Sequence, residues 1–155
     1  MNEEAFRRAC SRFATGVAVA TTCDAEGMPH GITVNSFTSV SLEPPLVLIC
    51  IDYRSVALLH FREARAYGIS VLSLAQKELS DRFAQRVEPR FDGVPWHAGL
   101  SGAPLLDGAL AHFECEVGQV VEAGDHAVLI AEVVHAASVE GDPLLYFASG
   151  YVSLG

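Results

Sequence analysis

The chain has 155 residues, a net charge of −9 and an apolar fraction of 50%. A chain of this length and apolar content forms a sizeable core, so we expect one globular domain over residues 1–155. The longest aliphatic run, 46–51, is far shorter than the roughly 20 residues of a membrane-spanning helix. The charged N-terminal segment lacks the pattern of a secretory signal, and we therefore expect a cytoplasmic protein with no membrane segment.

The basic residues are unevenly distributed. Seven of the ten lie within 54–90, and residues 91–155 contain neither Lys nor Arg. This distribution disfavours nucleic acid as a partner, because nucleic acid requires cations spread over a surface. A small phosphorylated ligand remains compatible with it, provided that the phosphate meets the basic middle third of the chain.

Cysteine and histidine spacing gives no sign of a metal site. The four cysteines lie 13, 27 and 65 residues apart, and the histidines show neither His-x-His nor His-x-x-x-His spacing. We therefore expect reduced, buried thiols and no metal.

Hydrophobic periodicity and turn residues predict a mainly β protein with short helices. The predicted helices cover 3–14, 55–63 and 76–86. The predicted strands cover 17–23, 30–35, 46–51, 66–72, 109–122, 127–139 and 144–151. The absence of regular strand-helix-strand alternation favours an antiparallel barrel with helices packed outside it over a parallel doubly wound sheet. The latter would also call for a Gly-rich phosphate loop, and neither common form of that motif occurs.

Several local features sharpen this prediction. Ala5, Phe6, Ala9, Cys10 and Phe13 share one face of the first helix. The solidly apolar 46–51 run predicts a central strand covered on both faces. Ser55 is a candidate N-cap of the second helix, and Leu79, Phe83 and Val87 share a face of the third. The Pro- and Gly-rich segment 88–108 is predicted to be an extended loop with a functional role.

Three segments carry candidate chemistry. Segment 33–39 ends a strand with small polar side chains, which suits either a sheet edge or a backbone that hydrogen-bonds a flat heteroaromatic ring. Segment 50–55 is either an ordinary helix start or a phosphate site built on Ser55, with Arg54 adding charge. His126 follows Gly124-Asp125 and is either a surface residue or a functional one. Asp125 is expected to point away from His126 unless the turn rearranges them.

The motifs in their order along the chain resemble the short-chain flavin reductases, the reductase components of two-component flavin-dependent monooxygenases. The resemblance runs from about Phe6 to Leu154. It rests on 12–17, on the run 33–47, on 71–73 with Gln76, Leu79, Ser80 and Phe83, and on Arg90-Phe91, Trp96, 108–111, Glu114-Cys115, 124–126 and 143–147.

This resemblance implies a homodimeric antiparallel split β-barrel of the flavin-reductase, FMN-binding type. It implies transfer of hydride from NADH or NADPH to FMN or FAD, with reduced flavin supplied to a separate monooxygenase. The run Asp52-Tyr53-Arg54 leaves the choice between FMN and FAD open, and the lack of basic residues after 90 favours NADH.

The resemblance also implies site residues. The isoalloxazine is expected against Thr33, Val34, Asn35, Ser36, Phe37, Thr38 and Ser39. The ribityl chain and phosphate are expected at Cys50, Ile51, Asp52, Ser55 and Val56, with Arg82, Phe83 and Ala84 completing the phosphate side. His126 is expected beside the nicotinamide, where it positions the ring, and Tyr151 is expected to form a wall of the same pocket.

Two alternatives follow from the same residues. A flavin-binding electron carrier or sensor on the same barrel is the first, and the Gly124-Asp125-His126 motif argues against it. A hydrolase that uses His126 is the second, and it lacks a G-x-S-x-G nucleophile elbow.

Overall fold

The computed structural model describes residues 1–86 and 88–155. The helices are α1 (Glu3–Ser11), α2 (Leu58–Glu63) and α3 (Lys77–Ala84), with a 3-10 turn at Leu74–Gln76 before α3. The strands are β1 (Thr15–Gly16), β2 (Ala18–Cys23), β3 (Pro29–Val34), β4 (Thr38–Leu42), β5 (Pro45–Asp52), β6 (Ala66–Val71), β7 (Trp96–Ala98), β8 (Pro104–Leu106), β9 (Ala111–Ala123), β10 (His126–Ser138), β11 (Leu145–Phe147) and β12 (Gly150–Val152).

Seven strands form one antiparallel sheet in the order β3-β2-β6-β9-β10-β5-β4. The sheet ends in β3 and β4, so the barrel is split and not closed by a continuous ladder. Two small sheets, β1-β11-β12 and β7-β8, lie beside it. The predicted fold class, a mainly β protein with an antiparallel split barrel, is confirmed.

Successive side chains of a strand point to opposite faces of the sheet, and the apolar ones point to the inner face, so the interior of the barrel is apolar. Val47, Ile49 and Ile51 of β5 meet Tyr67 and Ile69 of β6 there. A second core lies outside the barrel, where α3 and the segment after it cover β2. Strand β2 is therefore buried on both faces, with Ala18 and Ala20 in the first core and Val19 in the second.

The expectation that 46–51 is a central strand covered on both faces is wrong for the chain alone. Strand β5 is the second strand from the sheet edge, and its residues alternate between buried and half-buried. Leu48 and Cys50 remain partly open on the outer face. The apolar face of the first predicted helix is likewise uncovered, since α1 has no buried residue and Phe6 and Phe13 are 57% and 77% exposed.

Other sequence predictions need correction at their boundaries. The first helix ends at Ser11, and the second begins at Leu58 after a turn in which the Ser55 hydroxyl accepts from the Ala57 amide at 3.3 Å. Residues 88–108 contain the β7–β8 hairpin. The last predicted strand is a hairpin of β11 and β12, turning at 148–149. Strand β4 was not predicted, and Val87 lies outside the described residues.

Candidate functional site

A cavity of about 220 Å³ lies where β3 ends, between α3 and the C-terminal hairpin. Its lining residues are Val17, Thr33, Asn35, Ser80, Ala84, Tyr146 and Tyr151. The Thr33 hydroxyl donates to the Ser80 carbonyl at 2.6 Å, which ties β3 to α3 across the cavity floor. We call this space the ring cavity, because one side is aromatic and the opposite side is a strand end with small side chains.

Tyr151 closes the ring cavity from the C-terminal side. Its hydroxyl lies 2.6 Å from the Ser80 hydroxyl and donates to the Asp81 carboxylate at 2.9 Å. The Lys77 ammonium lies 5.3 Å from the centre of its ring, and the Tyr146 ring centre is 5.7 Å away. Burial is the main cause that raises the pKa of Tyr151, so the phenol is protonated at neutral pH and can donate to Asp81.

The strand-end segment 33–39 presents few free side chains. The Ser36 hydroxyl donates to the Cys50 carbonyl at 3.0 Å and accepts from the Cys50 amide at 2.9 Å, so it continues the contacts with β5 before β4 begins at Thr38. Val34 is buried, and Phe37 packs on Phe113 with ring centres 5.2 Å apart. Asn35 is exposed and lines the ring cavity. Thr33 also lines the ring cavity, whereas Thr38 and Ser39 are exposed on β4.

Thr15 is a site residue that the sequence reasoning did not select. Its hydroxyl is buried and has no hydrogen-bond partner within 1–86 and 88–155. It lines a small space of about 70 Å³ together with Val34, Asn35 and Phe37. A buried hydroxyl without a partner is costly, so this atom fits a ligand that brings a polar edge to the site.

A basic cavity of about 240 Å³ adjoins the ring cavity at Ala84. Its lining residues are Ile32, Asp52, Arg54, Ser55, Val56, Phe83, Ala84, Arg86 and Arg90. The Arg54 guanidinium lies 2.8 Å from the Asp52 carboxylate, and this contact, with the Arg54 amide, holds the pKa of Asp52 well below its usual range. Arg54 is therefore already paired, and Arg90 lies 3.6 Å from the Glu88 carboxylate, so Arg86 is the cation of this cavity without an ion pair among the described residues.

Arg90 is the most deeply placed of these cations. Its side chain is 5% exposed, and it donates to the carbonyls of Gly31 at 2.7 Å and Phe83 at 3.2 Å. Its Nε is buried and has no hydrogen-bond partner among the described residues, since the Glu88 carboxylate lies 3.6 Å away. A buried guanidinium with an unused donor favours a bound anion such as phosphate.

Arg82, which the resemblance assigns to the phosphate side of the site, is not among the residues that line the basic cavity. Its guanidinium donates to the carbonyls of Asp92 at 2.7 Å, of Pro89 at 3.3 Å and of Arg90. It holds the turn after α3, and Arg86 and Arg90 line the basic cavity in its place. The charge count over 54–90 pointed to this segment, but it could not tell that the guanidinium of Arg82 donates to backbone carbonyls of the same chain.

A wider groove of about 550 Å³ opens beside the ring cavity and shares Asn35 and Tyr146 with it. It is lined by Phe6, Arg7, Cys10, Ser11, Phe13, Asn35, His126, Tyr146 and Ser149. His126 is the first residue of β10 and lies opposite Asp52 on β5. Its Nδ1 is 2.6 Å from the Asp125 carboxylate, so the turn does bring these neighbours together, contrary to the sequence expectation. We call this space the His126 groove.

The structure thus gathers most of the predicted site residues. Thr33, Asn35, Ala84 and Tyr151 line the ring cavity, Asp52, Ser55, Val56, Phe83 and Ala84 line the basic cavity, and His126 lines the groove. Ile51 lies in the barrel core, and Cys50 meets Ser36 through its backbone. Thr38 and Ser39 are exposed on β4.

Neither a cluster of metal-ligating side chains nor a membrane-spanning helix is present in the described part of the chain. Within 1–86 and 88–155, no three His, Cys, Asp or Glu side chains come together in a way that could hold a metal ion. His30 and His60 stack with ring centres 3.6 Å apart, and His30 contacts Asp24 at 2.9 Å. None of the helices in this part of the chain has the length and apolar content needed to cross a bilayer.

A split antiparallel barrel with a ring cavity beside a basic cavity defines a class of β proteins suited to a nucleotide-like cofactor. Residues 10–155 match the family described as "Flavin reductase like domain". The chain belongs to this flavin reductase family.

Its relatives agree with this assignment. The chain is 44% identical to a "Probable flavin reductase" of Rhizobium meliloti over 95% of its own length and 47% of the relative's. It is 43% identical to "FMN reductase (NADH) SmoA" of Agrobacterium fabrum, over 97% and 85%. The solved Streptomyces globisporus NADH:FAD oxidoreductase SgcE6, in complex with NAD and FAD fragments, has a TM-score of 0.94 at 36% identity, over 99% of this chain and 93% of that one. Further relatives are described as flavin reductase components of monooxygenases.

The chain spans about half of the length of the Rhizobium meliloti relative. That protein therefore extends beyond the part that this chain matches.

Proposed function

We propose that this chain is an NADH-dependent flavin reductase that supplies reduced flavin to a separate monooxygenase. The observation that carries the proposal is the row of adjoining spaces that meet at Asn35 and Ala84. The basic cavity, the ring cavity and the His126 groove follow one another along the open side of the barrel. A flavin has a flat ring and a phosphorylated tail, and a nicotinamide must stack against that ring.

The residues present fit a flavin. The Thr15 hydroxyl, which has no partner among the described residues, and the Asn35 side chain would bind the edge of the ring, and the Ser55 hydroxyl with Arg86 and Arg90 would hold the phosphate. Bound flavin supplies the hydride-accepting ring, so the protein needs no nucleophile of its own. Its contribution is to hold two rings in line and to exclude water from the space between them.

His126 serves in this proposal as a positioning group for the nicotinamide. Asp125 holds Nδ1, which leaves Nε2 for a contact with the substrate. NADH is favoured over NADPH because residues 91–155 contain no cation to receive an additional phosphate, and relatives are described as NADH-dependent.

A homodimer and a cytoplasmic location belong to the same proposal. The outer face of β5 and β10 carries the paired, half-buried apolar residues Leu48 with Ile130 and Cys50 with Val128. A second copy of the chain would cover this face, and His126 lies at its end. The four cysteines are all free, which suits a reducing compartment.

The experiment that tests the function is NADH oxidation by the purified chain without flavin, with FMN and with FAD, repeated with NADPH. We expect NADH oxidation to require added flavin. We also expect its rate to saturate at a lower concentration of one of the two flavins, FMN or FAD, than of the other. Flavin binding without any oxidation would contradict the proposal and support the electron-carrier alternative.

A further inference from the structure

Helix α1 forms one wall of the His126 groove, and two similar ion pairs lie side by side on it. Arg7 contacts Glu3 at 2.7 Å, and Arg8 contacts Glu4 at 2.5 Å, both one helical turn apart. All four side chains are largely exposed. Of these four side chains, Arg7 is among the residues that line the groove, and Arg8 is not.

Arg7 is the only Lys or Arg among the residues found to line the groove. Its neighbours there are mostly apolar or neutral, namely Phe6, Phe13 and Tyr146. His126, which also lines the groove, contacts the Asp125 carboxylate and is paired across the sheet with Asp52. An anionic ligand in the groove would therefore place its negative charge at the α1 end.

The α1 wall is fixed in position at its C-terminal end. The Ser11 carbonyl accepts from the Ala148 amide at 2.8 Å, and the Arg12 guanidinium lies 4.8 Å from the centre of the Phe147 ring. Arg7 lies one turn before Ser11, on the same wall. Its guanidinium is consequently held near the groove and does not depend on a free chain end for its location.

We propose that Arg7 binds the pyrophosphate of the nicotinamide dinucleotide while His126 contacts the nicotinamide, so that α1 forms part of the substrate site. This inference rests on the proposed reductase function and adds a binding residue to it. A guanidinium matches the geometry of phosphate oxygens and makes strong charge-assisted hydrogen bonds with them. Glu3 would then hold Arg7 in place until the substrate binds.

Arg7→Ala and Arg8→Ala form a matched pair for the test. Each removes one arginine and one ion pair from an exposed position of the same helix, so any general loss of helix stability affects both equally. We expect Arg7→Ala to raise the KM for NADH about tenfold, the size expected for the loss of one charge-assisted hydrogen bond. The value of kcat should stay within about twofold, and Arg8→Ala should behave like the unaltered protein.

A hydride donor without phosphate separates binding of the pyrophosphate from other effects. With 1-benzyl-1,4-dihydronicotinamide, Arg7→Ala and the unaltered protein should have the same KM. Equal KM values for NADH in Arg7→Ala and Arg8→Ala would overturn the inference but leave the reductase function intact. A raised KM of Arg7→Ala for both hydride donors would also overturn the inference, because Arg7 would then act through the fold. A change in the oligomeric state of Arg7→Ala in solution would overturn it as well, because Arg7 would then act through contact with a second copy. Absence of NADH oxidation in the unaltered protein would instead contradict the reductase function.

Discussion

His126 is held by its neighbour in the turn before β10, and this contact determines which ring nitrogen faces the groove. The Nδ1 to Asp125 distance of 2.6 Å fixes the ring orientation. If the imidazole positions the nicotinamide, His126→Ala should raise the KM for NADH about tenfold and change kcat by less than about threefold. Steady-state kinetics at saturating flavin measure both values. Loss of kcat with an unchanged KM would show instead that His126 takes part in the transfer step.

A double-mutant cycle tests whether Asp125 acts through His126. Asp125→Ala alone should raise the KM for NADH by less than His126→Ala does, because the ring remains but is no longer oriented. In the His126→Ala background, Asp125→Ala should have no further effect. Additive effects of the two substitutions would mean that Asp125 meets the substrate independently.

Ala148 is a second residue whose local geometry carries a prediction. Ala148 and Ser149 have φ angles of 52° and 61°, in the left-handed region that disfavours residues with a Cβ atom. Ala148→Gly should therefore raise the free energy of unfolding by about 1 kcal/mol in urea titrations. Ala137→Gly, within β10, is the control and should lower it by about 0.5 to 1 kcal/mol. A lower stability of Ala148→Gly would show that the turn carries no such strain.

At the scale of elements, the sequence predicted what local patterns determine. The β-prone runs 17–23 and 30–35, separated by the turn residues 24–27, predicted the β2–β3 hairpin, and the resemblance pointed to most of the residues around the ring and basic cavities. Local patterns could not show that the Arg82 guanidinium donates to backbone carbonyls within residues 89–92, because these hydrogen bonds form only when the segment after α3 folds back onto the helix. The final hairpin was also missed, since its turn is formed by Ala148 and Ser149, which are not typical turn residues.

The β2–β3 hairpin gives a prediction about pH. Asp24 accepts from the Glu26 and Met28 amides at 2.9 Å each and contacts His30 at 2.9 Å. The His30 contact, followed by the Met28 amide, lowers the pKa of Asp24 from 3.8 to about 2. A lowered carboxyl pKa in the folded state stabilises the protein above the unfolded value, and this stabilisation is lost as the pH falls through the folded value.

Asp24→Asn should therefore unfold more easily than the unaltered protein at pH 5, and the difference should shrink as the pH falls from about 4 toward 2. Urea midpoints measured at pH 5, 4, 3 and 2 follow this change. Glu26→Gln removes a carboxylate from the same turn without touching His30, and it serves as the control. A difference that stays constant over this range would assign the effect to the backbone contacts of Asp24 and not to its charge.

At the scale of the whole molecule, the uncovered apolar surfaces call for a partner. Leu48 and Ile130 are paired across β5 and β10 on the outer face, and Leu42 on the neighbouring edge strand is 97% exposed. A stable dimer buries about 800 Å² per subunit, so a second copy would have to cover an extended part of this sheet face. Strands β5 and β10 also position His126, so a second copy on this face would approach the groove.

Ile130→Arg should therefore separate the proposed dimer, because a charge buried between two apolar faces without a partner is strongly unfavourable. Size-exclusion chromatography with light scattering should give twice the chain mass of 16.6 kDa for the unaltered protein and the single mass for Ile130→Arg. Leu100→Arg, at an exposed turn on another part of the surface, should remain dimeric. The separated chain should also oxidise NADH more slowly, since His126 lies at the end of the covered face. A monomeric unaltered protein, or a dimeric Ile130→Arg, would show that this face has another role.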